Sequence, residues 1–233
     1  MRFMVSLFEK YPGVHIGVLV GRGLRNLPVD IRIEEVKREA VKTLRDKVGD
    51  GPLSRHPHIA SWRDMYRSFG TKAGDYRPSA EALARRALKD EALPRINAAV
   101  DAYNAVSVKH LVPMGGFDLD KVRGDIRLRL SEGGEIFTPL GPAAPEETYR
   151  GEVVYANDER ILTRRWNYRD CEETKITVGT VNVAMFADGS PGIPRNVVEE
   201  ALRDLETLLR ASCGGEYKWS VLGGRESELD LSL

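Results

Sequence analysis

An α+β fold, with helices and strands segregated along the chain, is predicted by three features of the sequence. Two short β-rich runs open the chain. Segments with helical apolar spacing follow between residues 31 and 110. A half built of short alternating runs, parted by Gly, Pro and Asp–Asn, then leads into one last helix. Segregation of this kind argues against the regular strand–helix alternation of a doubly wound sheet.

The opening runs, "FMVSLF" and "VHIGVLVGRG", are rich in β-branched and aromatic residues, and Pro12–Gly13 separates them as a strand pair. From Ile31 to Val48, the residues Ile33, Val36, Ala40, Val41, Leu44 and Val48 recur at three- and four-residue steps, the stripe of an amphipathic helix that Gly49–Asp50–Gly51–Pro52 ends. In "HIASWRDMYRSFG", Ile59, Trp62, Met65, Tyr66 and Phe69 share a second helix face, with Gly70 as the stop. "RPSAEALARRALKD" enters a third helix through Pro78 and Ser79, with Glu81 in the first turn. "PRINAAVDAYNAVSVKH" gives a fourth, with Ile96, Ala99, Val100 and Tyr103 inward. "VPMGGFDLD" reads as a loop with a double glycine. "DIRLRL" alternates strictly, with Ile126, Leu128 and Leu130 on one face and Arg127 and Arg129 on the other. "GEIFTPLG", "GEVVYA", "RILTRRWNY" and "TVNVAMFAD" read as short strands, and the last helix runs from about Asn196 to Ala211. The glycine-rich tail from Cys213 is expected to pack loosely.

With 233 residues, of which 42% are hydrophobic, the chain can form one large domain. Its 35 basic and 35 acidic side chains cancel, so a global positive field for nucleic acid is excluded and RNA contact requires a local basic patch. The start, "MRFMVSLFEK", is interrupted by Ser6 and Glu9 and does not read as a signal peptide, and no apolar run reaches the roughly 18 residues of a membrane span. A cytoplasmic protein with reduced Cys171 and Cys213 is the expectation.

Few motifs carry chemistry. Gly21–Arg22–Gly23 follows a strand but has Asn26 where a dinucleotide loop needs its third glycine, and reads as a turn. His56 and His58 flank Pro57 with no third ligand in view, so they read as a helix start, not as a metal site. Cys171 sits among Asp170, Glu172 and Glu173, whose charge raises a thiol pKa, and so makes a poor nucleophile. Gly115–Gly116 serves either as a tight turn or as a bare backbone wall of a small-molecule pocket. In "ILTRRWNYRDCEET", a strand over Ile161 to Tyr168 would put Arg165 and Asn167 on one face. Two readings follow: Arg165 pairs internally with Asp118, Asp120 or Glu152, or Arg165 and Asn167 line a cavity for a polar, anionic ligand.

Taken in order, "HIASWRDMYRSFG", "YRPSAEALARRAL", "INAAVDAYNAVSV", "PMGGFDLDKVRGDIRLR", "GEIFTPLG", "GEVVYA" and "RRWNYRD" resemble the stand-alone relatives of the B3/B4 domain, the editing and tRNA-associated domain of the phenylalanyl-tRNA synthetase beta subunit, from Phe3 to about Leu209. The resemblance implies an α+β fold with helices packed on a β-sandwich of unusual topology. It also implies one B3/B4-type domain over residues 1–233, comprising a strand pair and helix (1–55), a core (56–212) and a tail (213–233). In the synthetase the pocket hydrolyses wrongly attached tyrosine from tRNA. Here Asn104, Phe117 and Asp118 keep the framework, while Tyr103 replaces a threonine, Gly115 a histidine, and Arg164 to Trp166 a glycine-rich loop, so the pocket is rebuilt. The candidate pocket, from the residues and the resemblance together, is Asn104, Gly115, Gly116, Asp118, Arg165, Trp166, Asn167, Glu172 and Thr174, and no cofactor or metal is expected. Two functions follow as expectations. One is an aminoacyl-tRNA hydrolase that touches tRNA through Arg85, Arg86, Arg123, Arg127 and Arg129. The other is a non-catalytic module binding an amino acid or small carboxylate, with Arg165 as counter-charge.

Overall fold

Helices form where the apolar stripes predict them. The computed structural model describes residues 1–49 and 51–232, so Asp50 of the predicted helix-ending turn lies outside the described residues. Helix α1 spans Ile31–Val48, capped by the Asp30 carboxylate on the Arg32 amide. Helices α2 (Pro57–Ser68), α3 (Ser79–Asp90), α4 (Ala98–His110) and α5 (Arg195–Cys213) complete the set. The start of α4 falls later than the apolar pattern suggests. The Asn97 side chain accepts from the Val100 amide as N-cap, and Ile96, predicted inward, lies outside the helix and is exposed.

In chain order the strands are β1 (Arg2–Val5), β2 (His15–Arg22), β3 (Met114–Asp118), β4 (Ile126–Leu130), β5 (Ile136–Phe137), β6 (Glu146–Glu147), β7 (Val153–Ala156), β8 (Ile161–Arg164), β9 (Arg169–Asp170), β10 (Val183–Gly189), β11 (Glu216–Gly223) and β12 (Glu228–Asp230). They form a six-stranded sheet in the order β12-β1-β4-β7-β8-β9, a four-stranded sheet in the order β11-β2-β10-β3, and a small β5-β6 ribbon. All pairings are antiparallel except β1 with β4.

The two large sheets pack face to face. Phe3 of β1 meets Phe186 of β10 edge-on at 4.9 Å, and Tyr155 of β7 lies 5.1 Å from Phe186 and 6.1 Å from Phe117 of β3. Because residues alternate along β10, Phe186 and Asp188 look into this interface while Ala187 looks the other way, toward α5. Gly17 of β2, paired with Ala187, is needed there: a Cβ would stand 2.7 Å from Val198 and 2.8 Å from Leu202 of α5. The result is an α+β architecture of helices on a β-sandwich.

Four local expectations are corrected. The two opening strands do not pair: β1 joins the six-stranded sheet and β2 the four-stranded one. "VPMGGFDLD" is not a loop, because its glycines lie in β3 opposite Phe186 and Met185 of β10. The tail is not loose, because β11 pairs along the whole of β2 and β12 pairs with β1. The strand predicted over Ile161–Tyr168 stops at Arg164. Arg165 and Trp166 take φ values of +49° and +66°, and the chain turns over to β9. Left-handed backbone costs a non-glycine residue about 1 kcal/mol or more, so the surroundings must hold this turn in place.

Candidate functional site

The turn is held by a buried carboxylate. Glu152 accepts from Arg164 Nε (2.8 Å) and Nη2 (2.7 Å), from the Arg165 amide (3.1 Å) and from the Tyr149 amide (3.2 Å). Arg164 also donates to Glu146 (2.6 Å), and the Trp166 amide donates to Val153 O (2.7 Å). The Trp166 ring then locks into Tyr11, Trp62 and Phe69. The Arg165 guanidinium lies over Tyr76, 3.8 Å from its centroid, and 5.5 Å from that of Tyr168, with Nη1 buried and without a hydrogen-bond partner among the described residues.

What the turn positions is a cleft of about 210 Å³ between the sheets, where β3 and β9 are the edge strands. Gly115, Gly116, Phe117 and Met114 of β3 form one wall together with Phe186 and Asp188 of β10. Tyr155, Thr163 and Asp170 of β7, β8 and β9 form the other, and Trp166, Asn167, Tyr168, Ser79, Leu140 and Arg169 close the ends. Most of this surface is aromatic or aliphatic, with a few convergent polar groups, as in small-molecule sites generally.

The polar groups form two short chains. The Tyr66 hydroxyl donates to Asn167 Oδ1 (2.9 Å), Asn167 Nδ2 donates to Asp188 Oδ2 (3.1 Å), and the Tyr155 hydroxyl donates to Asp188 Oδ1 (2.5 Å). Separately, Thr163 Oγ1 donates to Asp170 Oδ1 (2.6 Å). Burial pushes the Asp188 carboxyl up to about 7, with nearby Asp170 adding to the rise and the Tyr155 and Asn167 bonds opposing it. Burial likewise lifts Asp170 to about 6, against the pull of Thr163. The same burial raises the Tyr155 and Tyr66 hydroxyls well above the ordinary range, with Asp188 contributing. Among the described residues none donates to Asp170 Oδ2, and it lies 3.4 Å from where a Cβ on Gly115 would stand. Gly115 thus leaves this oxygen uncovered.

The family model for the B3/4 domain matches residues 61–214, about two thirds of the chain. The chain belongs to the B3/4 domain family. Over 158 residues, taking in 58% of this chain, it is 26% identical to the phenylalanine–tRNA ligase beta subunit of Bartonella quintana (strain Toulouse), of which it covers 19%. Among solved structures, an N-terminal fragment of the phenylalanyl-tRNA synthetase beta subunit from Pyrococcus horikoshii is similar over 92% of this chain and 49% of that fragment, at 18% identity and a TM-score of 0.43.

In this B3/4 domain, Gly115, Gly116, Trp166 and Asn167 of the sequence-predicted pocket come together at the cleft. The remaining residues of that set do not line it. Asp118 accepts from Thr180 (2.7 Å) and from the Asp120 amide (3.1 Å), closing the turn after β3. Glu172 accepts from the Gly141 amide and pairs with Lys175, and Thr174 is buried against Cys171 Sγ at 3.1 Å. Asn104 lies on α4, half-buried. Arg165 is stacked between tyrosines instead of facing the cavity, and the arginine that pairs with Glu152 is its neighbour Arg164. The cause is the turn, which breaks the period-two alternation that had put Arg165 beside Asn167.

Four of the predicted RNA contacts are occupied within the protein: Arg85 by Glu81, Arg86 by Asp90, Arg127 by Asp158 and Arg129 by Glu135. Arg123 is exposed. His56 accepts from the His58 amide as the N-cap of α2, and Asn26 joins the exit of β2 to α4 by donating to Asn97 and accepting from the Ala99 amide. The Cys171 thiol is buried and raised by that burial.

The sequence reading missed Asp170, Asp188, Tyr155, Thr163 and Ser79. One signal was available for Asp188. In "VAMFADG" it is the single charge in an apolar strand, on the same alternation as Ala184 and Phe186.

Proposed function

We propose that this B3/4 domain takes the aminoacyl end of a charged tRNA into the inter-sheet cleft and hydrolyses its ester. The observation that carries the reading is Gly115 on the edge strand β3, whose missing side chain leaves the space before Asp170 open. It opens a cleft between aromatic walls of a size for one amino-acid side chain and its ester, below the several hundred cubic ångströms typical of larger ligands. The reaction is attack of water on the ester carbonyl. The acyl C–O bond breaks, the ribose oxygen leaves and takes up a proton, and the amino acid is released. No side-chain nucleophile is called for, and buried Cys171 does not supply one. Holding ester and water together in a closed site is a large rate factor by itself, and the Asp188 carboxyl, near 7, is poised to take or return a proton at neutral pH.

The tRNA strand would leave the cleft past Arg169, which lines it, and past exposed Arg77 and Lys72, on a segment joined to the mouth by the Tyr76–Tyr168 contact at 5.3 Å. Such a local patch on a neutral protein gives weak, salt-sensitive RNA affinity.

The test is hydrolysis of a panel of correctly charged and mischarged tRNAs. At least one is expected to be deacylated above the spontaneous rate, and Gly115→Leu, which fills the space before Asp170, is expected to slow it by about tenfold or more with the fold intact. Failure of the whole panel overturns the reading.

A further inference from the structure

Among the described residues, buried carboxylates follow a rule with a single exception. The buried acids Asp30, Glu81, Asp101, Asp118 and Glu152 each meet a cation, namely Arg32, Arg63, Lys37, Lys121 and Arg164. Asp188 is the buried acid that meets none, and half-buried Asp170, which shares its cleft, meets none either. Leaving negative charge without a counter-charge inside a protein is costly, and the remedy is a partner or a proton.

The two acids differ in what they still lack. Asp188 has a donor on each oxygen, from Tyr155 and Asn167. Asp170 has Thr163 on Oδ1 and nothing on Oδ2, the oxygen that Gly115 leaves uncovered at the cleft surface. The one basic residue of the cleft, Arg169, directs Nη2 to the Leu140 carbonyl at the rim (2.8 Å). Phe117, Tyr155 and Phe186 present aromatic surface, which favours a cation over an anion. No cluster of three or more His, Cys, Asp or Glu side chains suited to a metal ion occurs among the described residues.

We infer that the ligand of this cleft carries a free primary ammonium, and that this group binds Asp170 Oδ2 across from Gly115, with Asp188 as a second acid in the same cleft. The inference rests on the aminoacyl reading of the cleft and sharpens it: N-blocked aminoacyl groups and ligands whose only charge is a carboxylate are refused. Groups facing Asp170 from the surrounding strands and helices are Thr163, Asp188, Tyr155, Tyr103 and Arg169, and none of these supplies the missing donor to Oδ2.

The experiment is calorimetric titration with a panel of amino-acid amides, their N-acetyl derivatives and 3-phenylpropionate, in two buffers of different ionisation enthalpy. Free-amine amides are expected to bind at least about tenfold tighter than their N-acetyl forms, with proton release that grows as the pH falls toward 6. Asp170→Asn is expected to erase both the preference and the proton release. Should that variant fold poorly, Thr163→Val, which removes the donor on the other oxygen, is expected to shift the pH at which protons are released. Equal binding of blocked and free amines, tighter binding of 3-phenylpropionate, a requirement for a divalent ion, or no binding by any amide overturns the inference. The two proposals fail separately. If aminoacyl-tRNA and N-acetyl-aminoacyl-tRNA are hydrolysed at the same rate, the ammonium seat is lost and the hydrolase stands. If amides bind as described while no tRNA is deacylated, the reverse holds.

Discussion

Thr163 and Arg164 are neighbours on β8 and look in opposite directions into two differently finished polar clusters. On the Arg164 side, Glu152 is fully buried and receives four donors, and Arg164 answers two carboxylates. On the Thr163 side, two acids share a cleft with no basic residue paired to either, and one oxygen is left open. Both clusters hold charge away from water. The first is closed on itself and acts as a strut for the turn that builds the cleft wall. The second is incomplete until something enters. Between these two clusters, it is the uncovered oxygen of Asp170, and not the presence of an arginine, that separates the site from the strut.

The sharpest way to break this contrast is to open the closed cluster. Glu152→Ala leaves Arg164 buried with only half-exposed Glu146, and is expected to destabilise the protein by about 3–5 kcal/mol in urea denaturation. A loss under about 1 kcal/mol would mean that Glu152 is no strut. The next effect comes from the incomplete cluster and is a matter of pH. The folded Asp188 pKa, about 7, lies above its unfolded value of 3.8. Between those values the native state binds more protons than the unfolded one, so this group's contribution to stability falls as pH rises from about 4 to 7. Asp188→Asn removes that dependence, and the difference between wild-type and variant stability should drift by up to about 4 kcal/mol across the window. The difference is the quantity to measure, because His56, lowered to about 4 by burial, drives the wild-type curve the opposite way. A flat difference would place Asp188 outside the incomplete cluster. Last, Arg165→Ala removes the stacking on Tyr76 and should cost about 1–2 kcal/mol while amide binding persists. Lost binding at unchanged stability would move Arg165 from strut to ligand contact.

The helices were legible because each buries one stripe on a neighbour, and the period of that stripe is local information. The α+β class followed from their segregation. The site was less legible for a specific reason. Period two is informative only while a strand continues, and Arg165 and Trp166 leave β space through left-handed backbone that no residue type there advertises. Gly115 was placed at a pocket as bare backbone, and Asn167 by an alternation that the turn then broke, while Asp170 looked like one more charge in an acidic run. Its character depends on which partners fail to reach it, and that is decided by β3, from a distant part of the chain, arriving with no side chain at Gly115.

Both chain ends contribute one strand to each large sheet: β1 and β12 to one, β2 and β11 to the other. All four lie outside or beyond the span that the family shares, residues 61–214. Phe3 of β1 packs on Tyr155 and Phe186, which line the cleft, so these strands are straps that bear on how the two layers meet there. The aperture offered to a guest is therefore set partly by segments that never touch it, and lengthening or repacking those straps would retune which side chains are admitted while every residue of the cavity wall stays as it is.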